Sequence, residues 1–516
     1  MRGSRFILQI VLSVFLLFLL APVIVLYGNS LVYIPWLTGF SSSTRHLDLF
    51  INSIRLGSAV TLMSLFVGLP AAFLLYKTDM PYKRFFKSLL LLTLAVPPYM
   101  AAISWTNLLG GGIMGFWGAS FVLSLLLYPL VVFIVGRSMS QIDVGVEESA
   151  VMAKNNLSIL RKIVFPLSTP SILFSALIVF MLSFSDFGVS SFLGFNSYSV
   201  DVYSRLSAFY DVESAAFYSI PLVFVSFGLF LLFLLVGGEG RYSFEGSGVN
   251  TKKIMLGKLK LPSTLYLFFM SLIAFVVPVF SLFETSLFLN GGFKGVENYL
   301  WVFDTASSAI YNSVIFALSA SVFSMLTGFF VVYAFYKRKL TYCFIELMYA
   351  ICFLVPGSIV GLSLVLFWNK LSPEIYGTSA ILVLGYIVKH MIFSLKASFL
   401  GFEMVEKGVF ESAELKAHSW FHKMKSIYVP LISKNIFLGF LLTFIFCIRE
   451  LETSLIVYPP GSTTLPISIF ILYHDGPPGL VSALSITLLA TMFFSLYLLK
   501  KTAEAFLSFN STKYIY

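Results

Sequence analysis

The sequence predicts an all-α, polytopic membrane protein in which about twelve transmembrane helices form two parallel six-helix repeats. Three observations predict this fold class: the composition, the placement of basic residues and an internal repeat. Of the 516 residues, 58% are hydrophobic and 11% are charged, and the mean hydropathy is +0.92. Because soluble globular chains are about a quarter charged, most of this chain must have lipid as its solvent.

Apolar stretches long enough to cross a bilayer recur along the whole chain. At a rise of about 1.5 Å per residue, roughly 20 helical residues cross a hydrocarbon core of about 30 Å. The stretches lack the alternation of apolar and polar residues found in membrane β-barrels, so helices are predicted. The predicted spans are residues 6–27, 54–76, 86–105, 116–136, 169–190, 216–236, 263–283, 313–336, 343–367, 378–399, 431–449 and 480–499.

Basic residues indicate the orientation, because Lys and Arg concentrate in the short cytoplasmic loops of membrane proteins. With the N-terminus inside, 27 of the 34 Lys and Arg fall in cytoplasmic segments, four fall in external loops, and three lie in or at the ends of spans. We therefore expect both termini in the cytoplasm. Orientation in the membrane and attraction to anionic lipid account for the net charge of +10. Membrane lipid is therefore predicted as a partner, and nucleic acid is not.

A direct repeat runs through the chain. Displacements of 260 residues, and of 264 further on, align Asn52-Ser53 with Asn312-Ser313, Ser64 with Ser324, Gly68 with Gly328, Tyr76-Lys77 with Tyr336-Lys337, and Pro166-Leu167 with Pro430-Leu431. An even number of spans in each repeat makes both copies face the same way. The predicted domains are a first repeat at 1–240, a cytoplasmic linker at 241–261 and a second repeat at 262–516.

The longest cytoplasmic loop of each repeat lies between its fourth and fifth spans. The first reads EESAVMAKNNLSILRKIVFP from Glu147 to Pro166, and the second reads ESAELKAHSWFHKMKSIYVP from Glu411 to Pro430. Each begins with an acid suited to a helix N-terminus and ends at a proline that begins the next span. Each predicts a short amphipathic helix. Such a helix could lie on the bilayer, but two copies at matched positions favour docking to a two-fold partner.

These loops resemble the EAA loop of permeases in binding-protein-dependent ABC importers. The resemblance implies the MetI-like permease fold in each half and identifies the loops as coupling helices that insert into an ATP-binding subunit. Both copies have alanine where the family usually has glycine, which predicts a straighter helix with the same role. The docking residues implied are Glu147, Ala153, Leu157, Ile163, Pro166, Glu411, Ala417, Phe421, Ile427 and Pro430.

The resemblance also implies partners and a location. No G-x-x-x-x-G-K-[ST] phosphate loop occurs in the sequence, so the chain is expected to be a transport subunit that binds no cofactor. A separate ATP-binding cassette subunit, expected to be a dimer, would hold ATP and Mg. An external or periplasmic solute-binding protein would deliver the solute. The expected location is the bacterial cytoplasmic (inner) membrane.

Charged residues near the predicted outer end of the fifth span of each repeat are candidate pathway residues. Asp186 and Glu450 lie twenty residues after Pro166 and Pro430, and Arg449 and Glu452 flank the second acid. Charges at membrane depth often mark function, so these four could line an entrance for a cationic solute. Alternatively, Arg449 pairs with a neighbouring acid at a wet interface. No metal site is predicted.

Two further segments bear on the solute. SFSDFGVSSFLG (183–194) and RELETSLIVYPPGSTTLP (449–466) are similar to segments of the ferric-iron branch of these permeases. The resemblance implies an importer of ferric iron, with thiamine, polyamine or phosphonate as alternatives. An ion-driven secondary transporter and a scaffolding membrane protein are the rival classes.

Overall fold

The computed structural model describes residues 2–32, 44–142, 163–208, 212–237, 254–289, 292–406, 408–410, 412 and 419–513. In the first half, the helices are α1 (Arg2–Val32), α2 (Thr44–Lys77), α3 (Lys83–Ala95), α4 (Pro98–Leu109), α5 (Phe116–Ser140), α6 (Phe165–Phe184), α7 (Gly188–Phe192), α8 (Tyr198–Ser207) and α9 (Val212–Gly237). A 3-10 turn, Gly110–Ile113, follows α4.

The second half begins with α10 (Lys260–Ser271), which follows the 3-10 turn Gly257–Leu259 and continues through a π-helical turn, Leu272–Val276, into α11 (Val277–Ser286). A two-residue hairpin, β1 (Phe288–Leu289) and β2 (Gly292–Phe293), follows. The remaining helices are α12 (Glu297–Thr305), α13 (Ser307–Phe335), α14 (Lys339–Leu354), α15 (Gly357–Leu371), α16 (Pro373–Tyr376), α17 (Ala380–Glu403), α18 (Trp420–Lys423), α19 (Val429–Ile448), α20 (Glu452–Val457), α21 (Leu465–Asp475) and α22 (Pro478–Lys513); a π-helical turn, Met424–Tyr428, joins α18 to α19.

The predicted all-α membrane fold class is confirmed. Within the described ranges, eight helices are long and apolar enough to cross a membrane, and the number rises to 11 if each of three bent helix pairs counts as one span. The predicted sixth span, 216–236, falls on α9, whose side chains are only partly described. A total of twelve spans therefore stays a prediction.

Two segments predicted as single spans, 86–105 and 343–367, are sharply bent. The first bends by 95° between α3 and α4, and the second bends by 107° between α14 and α15. The breaks fall at Val96-Pro97 and Val355-Pro356, where the valines have extended backbone conformations. A proline disfavours helical conformation in the residue before it, so each helix stops there and restarts in a new direction.

Contacts divide the chain into two compact units, each assembled from discontinuous segments. The N-unit contains Pro35–Ser204 and Pro221–Ser286, and the C-unit contains Met1–Ile34, Arg205–Ile220 and Leu287–Tyr516. The units follow tertiary contacts, whereas the predicted boundaries at 240 and 262 follow the sequence repeat and stay a prediction.

The first span of each predicted repeat packs in the unit formed mainly by the other predicted repeat. In the C-unit, Gln9 of α1 donates from Nε2 to the Ala334 carbonyl of α13 at 2.6 Å. In the N-unit, the Tyr266 hydroxyl of α10 donates to the Val67 carbonyl at 2.7 Å, and Ser281 Oγ of α11 donates to the Ser104 carbonyl at 3.1 Å. Each unit therefore draws helices from both repeats.

The repeated Asn-Ser pair makes equivalent hydrogen bonds in the two units. In the N-unit, Ser53 Oγ accepts from the backbone N–H of Tyr198, the first residue of α8, at 2.8 Å. In the C-unit, Ser313 Oγ accepts from the backbone N–H of Leu465, the first residue of α21, at 2.7 Å. Because the first N–H groups of a helix lack partners within it, each serine satisfies one of them.

Repeated glycines mark close helix crossings. A Cβ at Gly68 of α2 would lie 2.7 Å from Val131 Cβ of α5, and one at Gly328 of α13 would lie 2.9 Å from the Ser394 carbonyl carbon of α17. A side chain at either position would force the helices apart. The identity of these glycines across the repeat therefore reflects packing.

The end of the predicted linker is attached to the loop between α2 and α3 in the N-unit. The N–H of Ile254 donates to the Lys77 carbonyl at 2.8 Å, and the N–H of Asp79 donates back to the Ile254 carbonyl at 3.1 Å. Asp79 also accepts from the Leu256 N–H at 2.8 Å and pairs with Lys260 Nζ at 2.7 Å. These bonds fix the start of α10 beside α2.

Gly68→Val and Gly328→Val should each destabilise the protein by about 1–3 kcal/mol, because the added atoms overpack a tight helix crossing. We expect lower thermal melting temperatures in detergent for both. Gly112→Ala is the matched control, since a Cβ there meets nothing within 4 Å. Unchanged melting of both valine variants would contradict the packing role.

Asp79→Asn should weaken the linker attachment in a pH-dependent manner. The Lys260 ammonium and the Leu256 N–H hold the pKa of Asp79 below its ordinary value of 3.8. A carboxyl whose pKa is lowered by folding stabilises the protein above its unfolded pKa and loses that contribution as the pH falls through its folded pKa. The melting difference between wild type and Asp79→Asn should therefore be present at neutral pH and vanish in strong acid. A difference that persisted there would exclude the ion pair as its cause.

Candidate functional site

The predicted coupling loops are described only at their edges. Glu147, Ala153, Leu157, Glu411 and Ala417 lie outside the described residues. The other five predicted docking residues are described: Ile163 and Ile427 are half-buried, and Pro166, Phe421 and Pro430 are exposed. The docking roles of all ten residues stay predictions.

The chain is already helical before the proline that was predicted to begin each fifth span. Pro430 is the second residue of α19 and is preceded by the π-helical turn Met424–Tyr428. Pro166 holds the same position in α6, after two π-helical residues. Proline has no N–H for the regular helical bond, and the wider turn adjusts the helix around this missing donor. In the second repeat, helix therefore extends from Trp420 to Ile448.

An aromatic cluster holds both ends of the second loop in the C-unit. Phe410, immediately before Glu411, stacks on Tyr428 with ring centroids 5.1 Å apart and planes 10° apart. Tyr428 also contacts Tyr333 edge-on at 5.2 Å, and Phe402 lies 5.2 Å from Phe410. All four rings are buried. Aromatic pairs at these separations are favourable beyond their buried area, so the cluster connects the loop ends to α13 and α17.

Two aromatic residues beside this cluster are exposed. The Trp420 ring packs on Phe330 at 6.3 Å and remains 40% exposed, and Phe421 is 68% exposed. Ser419 accepts from the His422 N–H at 3.3 Å and so caps the helix that carries them. Large exposed aromatic side chains next to a predicted docking loop are suited to a protein contact.

Asp186 and Glu450 occupy equivalent places, each two residues beyond the end of a fifth-span helix, α6 or α19. Both are buried, at 8% exposure. Asp186 Oδ2 accepts from the N–H and Oγ of Ser190 at 2.9 and 3.1 Å and so caps α7. In the C-unit, Glu450 Oε1 accepts from the N–H and Oγ1 of Thr453 at 3.0 and 2.9 Å. Each carboxylate thus orders the turn that follows its span.

Glu450 also belongs to a buried cluster of charged groups in the C-unit. Lys389 Nζ lies 3.2 Å from Glu450 Oε1 and 3.7 Å from Glu452 Oε2, and His390 Nε2 lies 3.2 Å from Glu450 Oε2. The Arg449 guanidinium lies over the Phe446 ring, 4.2 Å from its centroid. The predicted pathway residues of this unit are therefore engaged with neighbouring protein groups.

Glu452 connects this cluster to the second helix bend. Its Oε2 accepts from the N–H of Gly357, the first residue of α15, at 2.6 Å. A Cβ at Gly357 would lie 2.5 Å from Lys389 Nζ and 2.8 Å from Glu450 Oε1. Glycine is therefore what allows the charged groups to approach the start of α15.

Lys389 is one of the three basic residues that lie in or at the ends of predicted spans, but the sequence did not identify its partners and did not connect His390 with Glu450. The available signal was the Lys389-His390 pair inside the apolar helix α17. Its 60-residue separation from Glu450 along the chain gave no indication of contact.

The fold defines a polytopic helical membrane protein. Serine and glycine positions that repeat along its sequence make matching contacts in the two units. No protein-family model matches the chain. It is 25% identical to the ferric transport system permease protein FbpB of Actinobacillus pleuropneumoniae, over 95% of this chain and 77% of the relative. It is 23% identical to the Fe(3+)-transport system permease protein FbpB 2 of Haemophilus influenzae, over 89% of this chain and 90% of the relative.

A third relative aligns with a shorter part of the chain. The spermidine/putrescine transport system permease protein PotC of Escherichia coli is 30% identical over 226 residues, which cover 40% of this chain and 84% of the relative. The chain belongs to the permeases of binding-protein-dependent ABC importers, as a fused tandem member of the branch that includes the ferric and polyamine permeases.

Phe410→Ala should destabilise the C-unit by about 3 kcal/mol, because it removes a buried ring that stacks on Tyr428. Phe421→Ala is the matched control, since most of that ring is exposed and its loss should change stability by less than about 0.5 kcal/mol. Thermal melting in detergent compares the two variants. Equal melting temperatures would show that the aromatic cluster does not anchor the loop.

Proposed function

We propose that this protein is the transmembrane permease subunit of an ATP-driven importer in the bacterial inner membrane. One observation carries the proposal: the similarity to ferric transport permeases extends over 95% of the chain and includes both repeats. Because the match extends over nearly the whole chain, the similarity to a transport permease is not limited to one segment or one repeat. The fold, with its many apolar helices, supports a transport subunit.

Ferric iron is the solute that we propose. Three relatives that align with most of the chain are described as ferric or Fe(3+) transport permeases, one of them as a putative one. A polyamine is the second candidate, supported by the 30% identity to PotC over a region about the length of one repeat. A phosphonate is supported in the same way by the 23% identity to the putative 2-aminoethylphosphonate permease PhnV of Salmonella typhimurium. Thiamine rests on the sequence resemblance alone.

The energy in this proposal comes from a separate ATP-binding cassette dimer that holds ATP and Mg. Its docking sites are the two loops that precede Pro166 and Pro430, both on the cytoplasmic side if the termini lie inside. The exposed Phe421 and the anchored loop ends beside it support a contact surface there. An external binding protein delivers the solute from the other side.

Alternating access is the mechanism that this arrangement supports. A partner can shift the equilibrium between two permease states only by binding one state more tightly than the other. The ends of the second loop pack into an aromatic cluster with α13 and α17, so a movement of the loop on binding the partner would also move these two helices. A place at the mouth of the pathway stays a prediction for Asp186, Arg449, Glu450 and Glu452.

The decisive experiment is uptake into proteoliposomes that contain this chain and the cognate ATPase. Uptake of labelled ferric iron should require ATP on the ATPase side and the loaded binding protein on the opposite side. ATP-dependent uptake of spermidine or 2-aminoethylphosphonate in place of iron would change the solute and keep the class. Uptake driven by an ion gradient without ATP would establish a secondary transporter instead.

Reversing the charge at the start of each loop tests the docking surface in the same system. Glu147→Lys and Glu411→Lys should each reduce co-purification of the ATPase by on the order of tenfold, because they place a like charge where the partner meets an acid. Glu297→Lys, an exposed acid outside the loops, is the matched control. Full co-purification with both loop variants would refute the docking role.

A further inference from the structure

At the two helix bends, the first backbone position of the restarting helix is accommodated in different ways. A helix that restarts inside a protein presents N–H groups without intrahelical partners. In the N-unit, the first residue of α4 is Pro98, which has no N–H. In the C-unit, the first residue of α15 is Gly357, and its N–H is satisfied by the carboxylate of Glu452. At the second bend, therefore, a charged group accepts from the first N–H of the helix that restarts there.

The residues around the two bends also differ in charge. At the displacement of 264 residues, Glu452 corresponds to Gly188, and Lys389 and His390 correspond to Leu125 and Leu126. Leu125 and Leu126 are buried, and Gly188 lies near Tyr99 at the start of α4. The N-unit thus forms its bend without the lysine, the imidazole or the second acid.

This difference indicates that the charged cluster is not needed to build the bend. Buried ion pairs contribute little net stability compared with well-packed apolar residues, but a pair with one member removed is strongly unfavourable. Charges are retained at membrane depth mainly where they serve a function. A cluster of this kind is either fully paired or separated, which makes it suited to hold one conformation and release another.

We propose that Lys389, Glu450 and Glu452 form a latch that holds the first turn of α15 against α17 and α20 in one state of the protein. Glu452 binds the Gly357 N–H, and Lys389 joins Glu452 to Glu450, whose position is fixed by Thr453 and His390. These are positioning residues, because they act through α15. The assignment of the latched state to the resting state of a transport cycle rests on the proposed function.

Hydrogen exchange of α15 tests the latch without reference to transport. In Glu452→Ala, the amides of residues 357–361 should exchange on the order of tenfold faster, as expected for the loss of one charge-assisted hydrogen bond. Glu452→Gln keeps an oxygen acceptor for Gly357 and should restore part of the protection. Residues 99–102 at the other bend provide an internal control, and Glu297→Gln is the matched control variant. Unchanged exchange in Glu452→Ala would overturn the latch.

The ATPase of the assembled complex tests its place in the cycle. Loss of the latch should raise the basal rate of ATP hydrolysis, measured without the binding protein. The ratio of the stimulated rate to the basal rate should therefore fall on the order of fivefold in Glu452→Ala. A purely structural defect would lower basal and stimulated rates together and leave their ratio unchanged, which would overturn the cycle role. Absence of stimulation in the wild type would instead count against the proposed function, while the exchange result stands by itself.

A variant that gives the C-unit the residues of the first bend separates folding from function. It combines Gly357→Pro, Lys389→Leu, His390→Leu, Glu450→Asp and Glu452→Gly, the set present at the corresponding positions of the first repeat. We expect near-normal accumulation and reduced stimulation. Full stimulation in this variant would overturn the latch, and Glu452→Ala decides the question if the combined variant does not accumulate.

Discussion

The constraint on which this structure depends is that a polar group at membrane depth must find its partner inside the protein. Lipid supplies no hydrogen bonds, so an unpaired N–H or an unpaired charge is costly there. The two bent helices meet this constraint where their backbone hydrogen bonding is interrupted. Proline removes the donor at the start of α4, and a carboxylate accepts from the donor at the start of α15.

The choice at the second bend has consequences for its surroundings. Once Glu452 is drawn inside, its charge requires a cation, and Lys389 provides one at 3.7 Å while pairing with Glu450 at 3.2 Å. The space for this arrangement exists because residue 357 is glycine. The two bends thus have similar angles, 95° and 107°, but are held by different interactions.

The predicted cytoplasmic side shows a related difference. The second loop is held at both ends by buried rings, with Phe410 and Tyr428 in contact and Tyr333 beside them. In the first repeat, the residue corresponding to Tyr428 is Val164, which is buried but aliphatic. A stiff attachment passes displacement from a partner to the helices more directly than a loose one. The aromatic cluster and the charged cluster both belong to the C-unit, where they connect to α17 from different elements.

Much of this architecture could be predicted from residues that are close together along the chain. Apolar runs, basic loops and the repeated Asn-Ser and Gly positions are local patterns, and the structure gives physical reasons for the last two: serine binds a helix N-terminus, and glycine permits a close crossing. The bends at Pro97 and Pro356 were missed, because hydropathy records apolar length and does not record direction.

The candidate site divides in the same way. The loops ending at Pro166 and Pro430 were recognisable because their spacing is repeated, and Asp186 and Glu450 because they lie at equal distances from those prolines. The partners of Glu450 could not be recognised from the sequence, since Lys389 and His390 lie on another helix about 60 residues away. The sequence by itself thus determined that the chain lies in lipid, that it is helical and that its sequence pattern is repeated, since these follow from local composition and spacing. Only the tertiary structure decided which charges meet and which helices share a unit, because those contacts join segments that have no fixed relation along the chain.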